Sequence, residues 1–175
     1  MTLNGSGIRD ITRVLRVSIN TVLKVIRCHA AELAGDVLPK HSAEVQVDEM
    51  WSLVEKKENQ AWLWYVFEAK TKQILAWVVG RRTDESCQRL LAKLKSCHVT
   101  RFCTDAWESY EKLIPSYQDW IGKAWTQDIE RNNLNFRTRL KRFQRRTICF
   151  SKSDDMHEAV LKLFIQHSNH AHHKF

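Results

Sequence analysis

Paired cysteines are missing from this chain of 175 residues. The five present are Cys28, Cys87, Cys97, Cys103 and Cys149; no two form a C-x-x-C, and their number is odd. A disulfide framework is therefore not expected, and free thiols in a reducing cytoplasm are the simplest consequence. No apolar run reaches membrane length and no signal peptide is evident, so no membrane partner is expected. Internal repeats and low-complexity stretches are absent too. The length suits one core of moderate size plus a small appendage.

One further absence is local. Residues 131–146 contain no acid, yet hold Arg131, Arg137, Arg139, Lys141, Arg142, Arg145 and Arg146. A helix that only faces solvent usually interleaves both signs. Over the whole chain 28 Lys and Arg stand against 20 Asp and Glu, a net charge of +8. Such an excess favours a polyanionic partner.

Apolar spacing predicts two short helices over residues 8–27, joined by Arg16, Val17 and Ser18, with Ser18 as the N-cap. Asn20, Thr21 and Lys24 fall on the outer face of the second, as a recognition helix requires. The same pattern fits a plain helical hairpin. Residues 31–42, with Gly35 and Pro39, read as a linker.

From residue 43 the period changes to two. Ala43, Val45, Val47, Trp51 and Leu53 are expected on one face of a strand, with Gln46 and Asp48 on the other. Two more strands follow over 61–69 and 73–80. A helix is expected over 84–96 and a strand over 99–104, which delivers Asp105 at its end. Another strand is expected over 120–125, a long basic helix from about 128 to 145, and a last helix capped by Ser153. In that last helix Val160, Leu163, Phe164 and His167 are placed inward.

An Asp inside an apolar strand needs a partner or an ion. Asp48, Asp105 and Glu130 could together hold two divalent cations over a phosphodiester. Chance triples are easy to find among 20 acids, so spacing alone is weak support. Glu49 is assigned to the opposite strand face. Trp51, Trp107 and Tyr110 could stack on bases, though core packing is the commoner fate of such residues. The histidine-rich end, SNHAHHKF, offers no helical ligand geometry and reads as a solvated tail.

The stretch QDIERNNLNFRTRLKRFQRRTICFSKS (127–153) resembles the signature of bacterial DDE transposases of the IS-one insertion-sequence family. The first eight residues, MTLNGSGI, resemble the start of that family's helix-turn-helix. The resemblance implies an α/β fold: a ribonuclease-H-like mixed sheet flanked by helices over 43–170, with a partial helix-turn-helix in 1–30 and a tail in 171–175. It implies catalytic and metal-ligating roles for Asp48, Asp105 and Glu130, with two Mg2+ (or Mn2+) ions. Arg137 would contact the DNA end, alongside Arg139, Lys141, Arg142, Arg145 and Arg146. The activity implied is strand cleavage at element ends and strand transfer into target DNA, by a homodimer or higher assembly on double-stranded DNA in a prokaryotic, nucleoid-associated setting. The family usually carries a zinc ribbon ahead of the helix-turn-helix, which this sequence lacks. Two rival readings are a truncated DNA-binding repressor and a ribonuclease-H-like nuclease.

Overall fold

A computed structural model describes residues 1–144 and 147–172. The chain divides into two compact units. One comprises Asp36–Trp51 and Ala61–Leu134; the other comprises Met1–Gly35, Ser52–Gln60 and Asn135–Phe175.

The first unit is built on a five-stranded sheet. Its strands are β1 (His41–Val54), β2 (Lys56–Glu68), β3 (Gln73–Gly80), β4 (His98–Thr104) and β5 (Asp119–Ile121), in the spatial order β3-β2-β1-β4-β5. β2 and β3 pair antiparallel, while β1–β4 and β4–β5 are parallel. The fold class is therefore the one expected, a mixed α/β sheet flanked by helices in the ribonuclease-H-like element order. Val45, Val47, Trp64, Val66, Leu75, Ala76 and Val78 supply strand residues to one core cluster. Cys87, Leu90 and Leu94 reach it from α3 (Asp84–Lys93) and the 3-10 turn after it, and Tyr110 from α4 (Glu108–Leu113). Asp84 and Glu85 stand in the first turn of α3, where carboxylates favour the helix dipole.

The alternation expected for β1 holds only in part. Val45 and Val47 are buried, but Ala43 and Trp51 are exposed, and Met50, Ser52 and Val54 are buried instead. Both faces of the strand are covered in its middle, so burial there does not alternate. Gln46 and Asp48 do share a direction: the Gln46 carboxamide oxygen accepts the Ile129 amide at 2.7 Å, and Asp48 accepts from Asn133. Both partners lie on α5 (Gln127–Arg139).

The second unit holds α1 (Ile8–Leu15), α2 (Ile19–Glu32) and α6 (Asp154–His172). Ser18 caps α2 as expected, its hydroxyl accepting the Thr21 amide at 3.0 Å. Helix α2 continues to Glu32, so its last two residues, Ala31 and Glu32, fall in the stretch expected to be irregular. Ser153 accepts the Met156 amide at 3.3 Å at the start of α6. The buried stripe of α6 is Met156, His157, Val160, Leu161, Phe164 and Ile165. Leu163 is only half-buried and His167 is exposed. Phe164 lies against Phe136 at 5.0 Å between ring centroids, and Phe136 meets Phe143 at 5.8 Å.

Helix α5 ends at Arg139, about two turns before the expected stop; a 3-10 turn, Lys141–Phe143, follows. Leu140 and Phe143 are both buried, and burying both bends the backbone out of the helix. The stretch has no Gly or Pro to signal that end.

A buried polar cluster completes this unit. The His157 ring accepts or donates at Ser52 Oγ (3.1 Å) and Ser151 Oγ (2.9 Å), and Arg142 donates to Ser151 Oγ at 2.7 Å. Ser151 also bridges Val54 through the backbone, and its carbonyl accepts the amide of Glu55, whose φ is 65°. Burial, with Arg142 nearby, depresses the His157 pKa to about 3, and burial lowers that of Arg142 to about 10.

Candidate functional site

β1 and β4 run parallel and in contact, with Gln46 opposite Cys103. Continuing that register two residues puts Asp48 level with Asp105, where β4 has just ended. Asp48 is half-buried and Asp105 is exposed. One oxygen of Asp48 accepts from the Asn133 side-chain amide at 2.6 Å, and the other accepts its neighbour's backbone amide, that of Glu49, at 2.8 Å. Asn133 is held in turn by Tyr65, whose hydroxyl is 2.8 Å from the Asn133 carboxamide oxygen and 3.1 Å from the Ile129 carbonyl.

Burial pushes the Asp48 carboxyl up to about 7, with repulsion from Glu49 next and a smaller contribution from Asp105. Among the described residues neither Asp48 nor Asp105 has an ion-pair partner. Glu130 is exposed and stands on α5 one helical turn before Asn133, so the two share a helix face. Its carboxylate accepts from the Thr126 hydroxyl at 3.4 Å. Among the described residues no three Asp, Glu, His or Cys side chains stand close enough to hold one metal ion together. The donor chemistry still suits a hard cation. Among the described residues the hydrogen bonds to the Asp48 carboxylate come from neutral donors, the exposed carboxylate of Asp105 stands level with it across the register, and a divalent ion would relieve the charge gathered there.

Glu49 was assigned to the far face of β1, away from the chemistry. It does point there, yet it is a major charge of this region. Its side chain is only 3% exposed, Arg82 pairs with it at 2.7 Å, and the Tyr110 hydroxyl donates to it at 2.7 Å. Arg82 also lies over the rings of Trp62 and Trp107, at 5.1 and 4.8 Å from their centroids. Burial raises the Glu49 pKa, and Asp105 adds repulsion. The adjacent pair of acids in an apolar strand was the available signal. The partner, Arg82, is 33 positions away and could not be read from it.

The basic residues are not one solvent-facing array. Arg139 and Lys141 are exposed, but Lys141 lies in the 3-10 turn and shares no helix face with Asn133. Arg137 is half-buried and donates to the Phe143 carbonyl at 3.3 Å. Arg142 turns inward to Ser151 and His157, so its charge is not presented as a phosphate clamp. Arg145 and Arg146 lie outside the described residues. On α2, Asn20, Thr21 and Lys24 are exposed, with the Thr21 hydroxyl 2.8 Å from that of Ser18. Trp107 and Tyr110 belong to the core side of the sheet, packed around Trp64. Among the described residues no helix is long and apolar enough to cross a membrane.

A mixed sheet with one carboxylate within β1 and a second level with it just past the end of the parallel neighbour β4, backed by a helix that hydrogen-bonds the first, defines an α/β protein with an acidic centre. Comparison with known proteins is more specific. The sequence model of the IS1 transposase family matches residues 43–171. The insertion element iso-IS1n protein InsB of Shigella dysenteriae is 47% identical over 121 residues, covering 69% of this chain and 92% of that protein. The insertion element IS1 protein InsB of Shigella flexneri is 38% identical over 116 residues, covering 66% of this chain and 88% of that one. An IS1 InsB protein of Escherichia coli K12 matches at the same identity, with 70% of its length covered. The chain belongs to the IS1 transposase family.

Proposed function

We propose that this chain is a DDE-type transposase. It would cut DNA strands at insertion-sequence ends and join them to target DNA. The observation that carries this is Asp48, within β1, level with Asp105 just past the end of the parallel neighbour β4, with no cationic side chain paired to either among the described residues. Asp48, Asp105 and Glu130 are the residues that would hold two Mg2+ or Mn2+ ions. Such ions activate an attacking oxygen and stabilise a leaving one at phosphorus. Asn133 fixes the Asp48 carboxylate from α5, and Tyr65 fixes Asn133. The burial that lifts the Asp48 pKa also excludes water from one side of the centre. Arg139 and Lys141 are exposed to meet phosphates, and Asn20, Thr21 and Lys24 are exposed on α2 to meet duplex DNA. The partner is double-stranded DNA, engaged by two or more copies.

Paired gel-shift and nicking assays on an element-end duplex in magnesium test this. The wild-type chain should bind and nick. Asp105→Asn should bind at least as well, because one negative charge is lost, and should not nick. Equal nicking by Asp105→Asn in a nuclease-free preparation removes Asp105 from the centre. Binding without nicking by the wild-type chain makes a DNA-binding repressor the better description. Cleavage of an RNA–DNA hybrid in place of the duplex would point to a nuclease.

A further inference from the structure

The edge strand β5 and the turn after it carry two exposed indoles that neither the core nor the acidic centre uses. Trp120 is 38% exposed and Trp125 is 40% exposed. Their rings meet edge to face at 4.9 Å, with 80° between planes. The Arg101 guanidinium lies 3.6 Å from the Trp120 ring centroid and pairs with Glu44 at 2.9 Å. The turn is specific: the Trp125 amide donates to the Gly122 carbonyl at 3.0 Å, and Gly122 has φ 141°, a conformation side-chain-bearing residues rarely adopt. That turn brings Trp125 back onto Trp120. Lys123 within it is exposed.

This aromatic pair adjoins the acidic centre along the backbone. Thr104 pairs with Ile121, and the Gly122 amide donates to the Thr104 carbonyl at 3.1 Å. The residue after Thr104 is Asp105. A three-residue edge strand is too short to template pairing with another chain. What it offers is two partly exposed indoles, one under the Arg101 guanidinium, with the exposed Lys123 in the same turn, in a chain of net charge +8. Arginine–indole stacking and open aromatic faces are the features of a nucleobase platform.

We infer that Trp120 and Trp125, with Arg101 and Lys123 beside them, form a stacking site for an unpaired nucleobase at a DNA strand end held near Asp105. This rests on the proposed action on DNA, but it can be tested apart from it. The site would favour frayed or cut ends over intact duplex, because a paired base offers no free face.

The test uses the full chain, without divalent cations, and DNA duplexes carrying 2-aminopurine in a three-nucleotide overhang or inside a blunt end. Binding of the overhang should quench the fluorophore, as stacking on indole does, and should exceed binding of the blunt duplex. Trp125→Ala should weaken overhang binding roughly 5- to 150-fold and remove the quench, leaving blunt-end binding nearly unchanged. Trp125→Phe should restore most of both. These results support the site whether or not the chain nicks DNA. The wild-type quench needs no variant: no quench, with equal affinity for the two duplexes, overturns the site even if nicking is robust. A Trp120→Ala, Trp125→Ala pair that lowers the sedimenting mass without changing overhang binding also overturns it, by making this face a contact between copies.

Discussion

Two polar clusters sit inside this chain, and they are treated in opposite ways. Around His157 the hydrogen bonds join it to Ser52 and Ser151, and Ser151 to Arg142, with no carboxylate bonded to the ring or to Ser151 among the described residues. Around Asp48 negative charge accumulates, with Glu49 beside it and Asp105 just past the end of β4, and among the described residues only Glu49 of the three is paired with an arginine. The first cluster is complete by itself, and burial keeps its histidine neutral. The second is strained by its own charge and is eased only by a proton or a cation. Burial alone does not tell a structural network from a functional one. The balance of charge within it does.

The contrast can be broken most sharply at Asp48. Asp48→Asn should reduce nicking roughly a thousandfold, the scale of a lost metal-centred stabilisation. Without divalent cations it should also raise the melting temperature at pH 8. The sign follows from the raised pKa. The folded state binds this proton with a pKa of about 7, against an ordinary value of 3.8. The penalty of ionising Asp48 therefore grows from about pH 4 to 7 and is complete above. The gain from Asn should vanish near pH 4. A variant no more stable at pH 8 would show that Asp48 carries no such penalty.

The largest expected effect on stability alone lies in the other cluster. His157→Ala removes the ring that hydrogen-bonds Ser52 and Ser151 and leaves a cavity in its place, and should cost about 3 kcal/mol in urea unfolding. Its pH behaviour is the reverse of that at Asp48. The histidine pKa is about 3 in the folded state against 6.5 otherwise, so its neutral form supports the fold fully above about pH 6.5. That support is lost as pH falls toward 3. Wild-type stability should drop over that window more steeply than that of His157→Gln.

Smaller effects sharpen the boundary. Asn133→Ala removes the amide that holds Asp48 and should lower nicking about tenfold to a hundredfold, with folding little changed. Arg139→Ala should flatten the salt dependence of DNA binding by roughly 0.9 in log–log slope, the signature of one phosphate contact. Arg142→Ala should leave that slope unchanged and destabilise the fold instead. Equal slopes for both arginines would undo the distinction drawn between them.

Much of the fold was legible because its signals are local. The apolar runs of β2 and β3 and the Ser18 and Ser153 caps appear where expected, and the period of two expected from residue 43 holds in part. The misses share a cause, which is contact between distant residues. Trp51 has the right period for the core yet is 37% exposed, while Met50 is buried. Arg142 looks like its basic neighbours but answers to Ser151 and His157. At the centre, the strand positions of Asp48 and Asp105 were legible from pattern. Asn133 as the support of Asp48 was not, because it depends on how α5 meets β1.

The tip of the β1–β2 hairpin works as a ruler. Val54 bridges Ser151, Glu55 donates to its carbonyl, and Ser52, two residues earlier, reaches His157. One residue added at Glu55 would move the Glu55 amide off the Ser151 carbonyl and disturb the Val54–Ser151 bridge beside it. Length at this tip is therefore constrained, whereas the Lys70–Lys72 connection, exposed and fastened through the side chains of Thr71 and Lys72, can absorb insertions. A label or peptide tag placed there should leave the sheet intact, and the same tag at residue 55 should not.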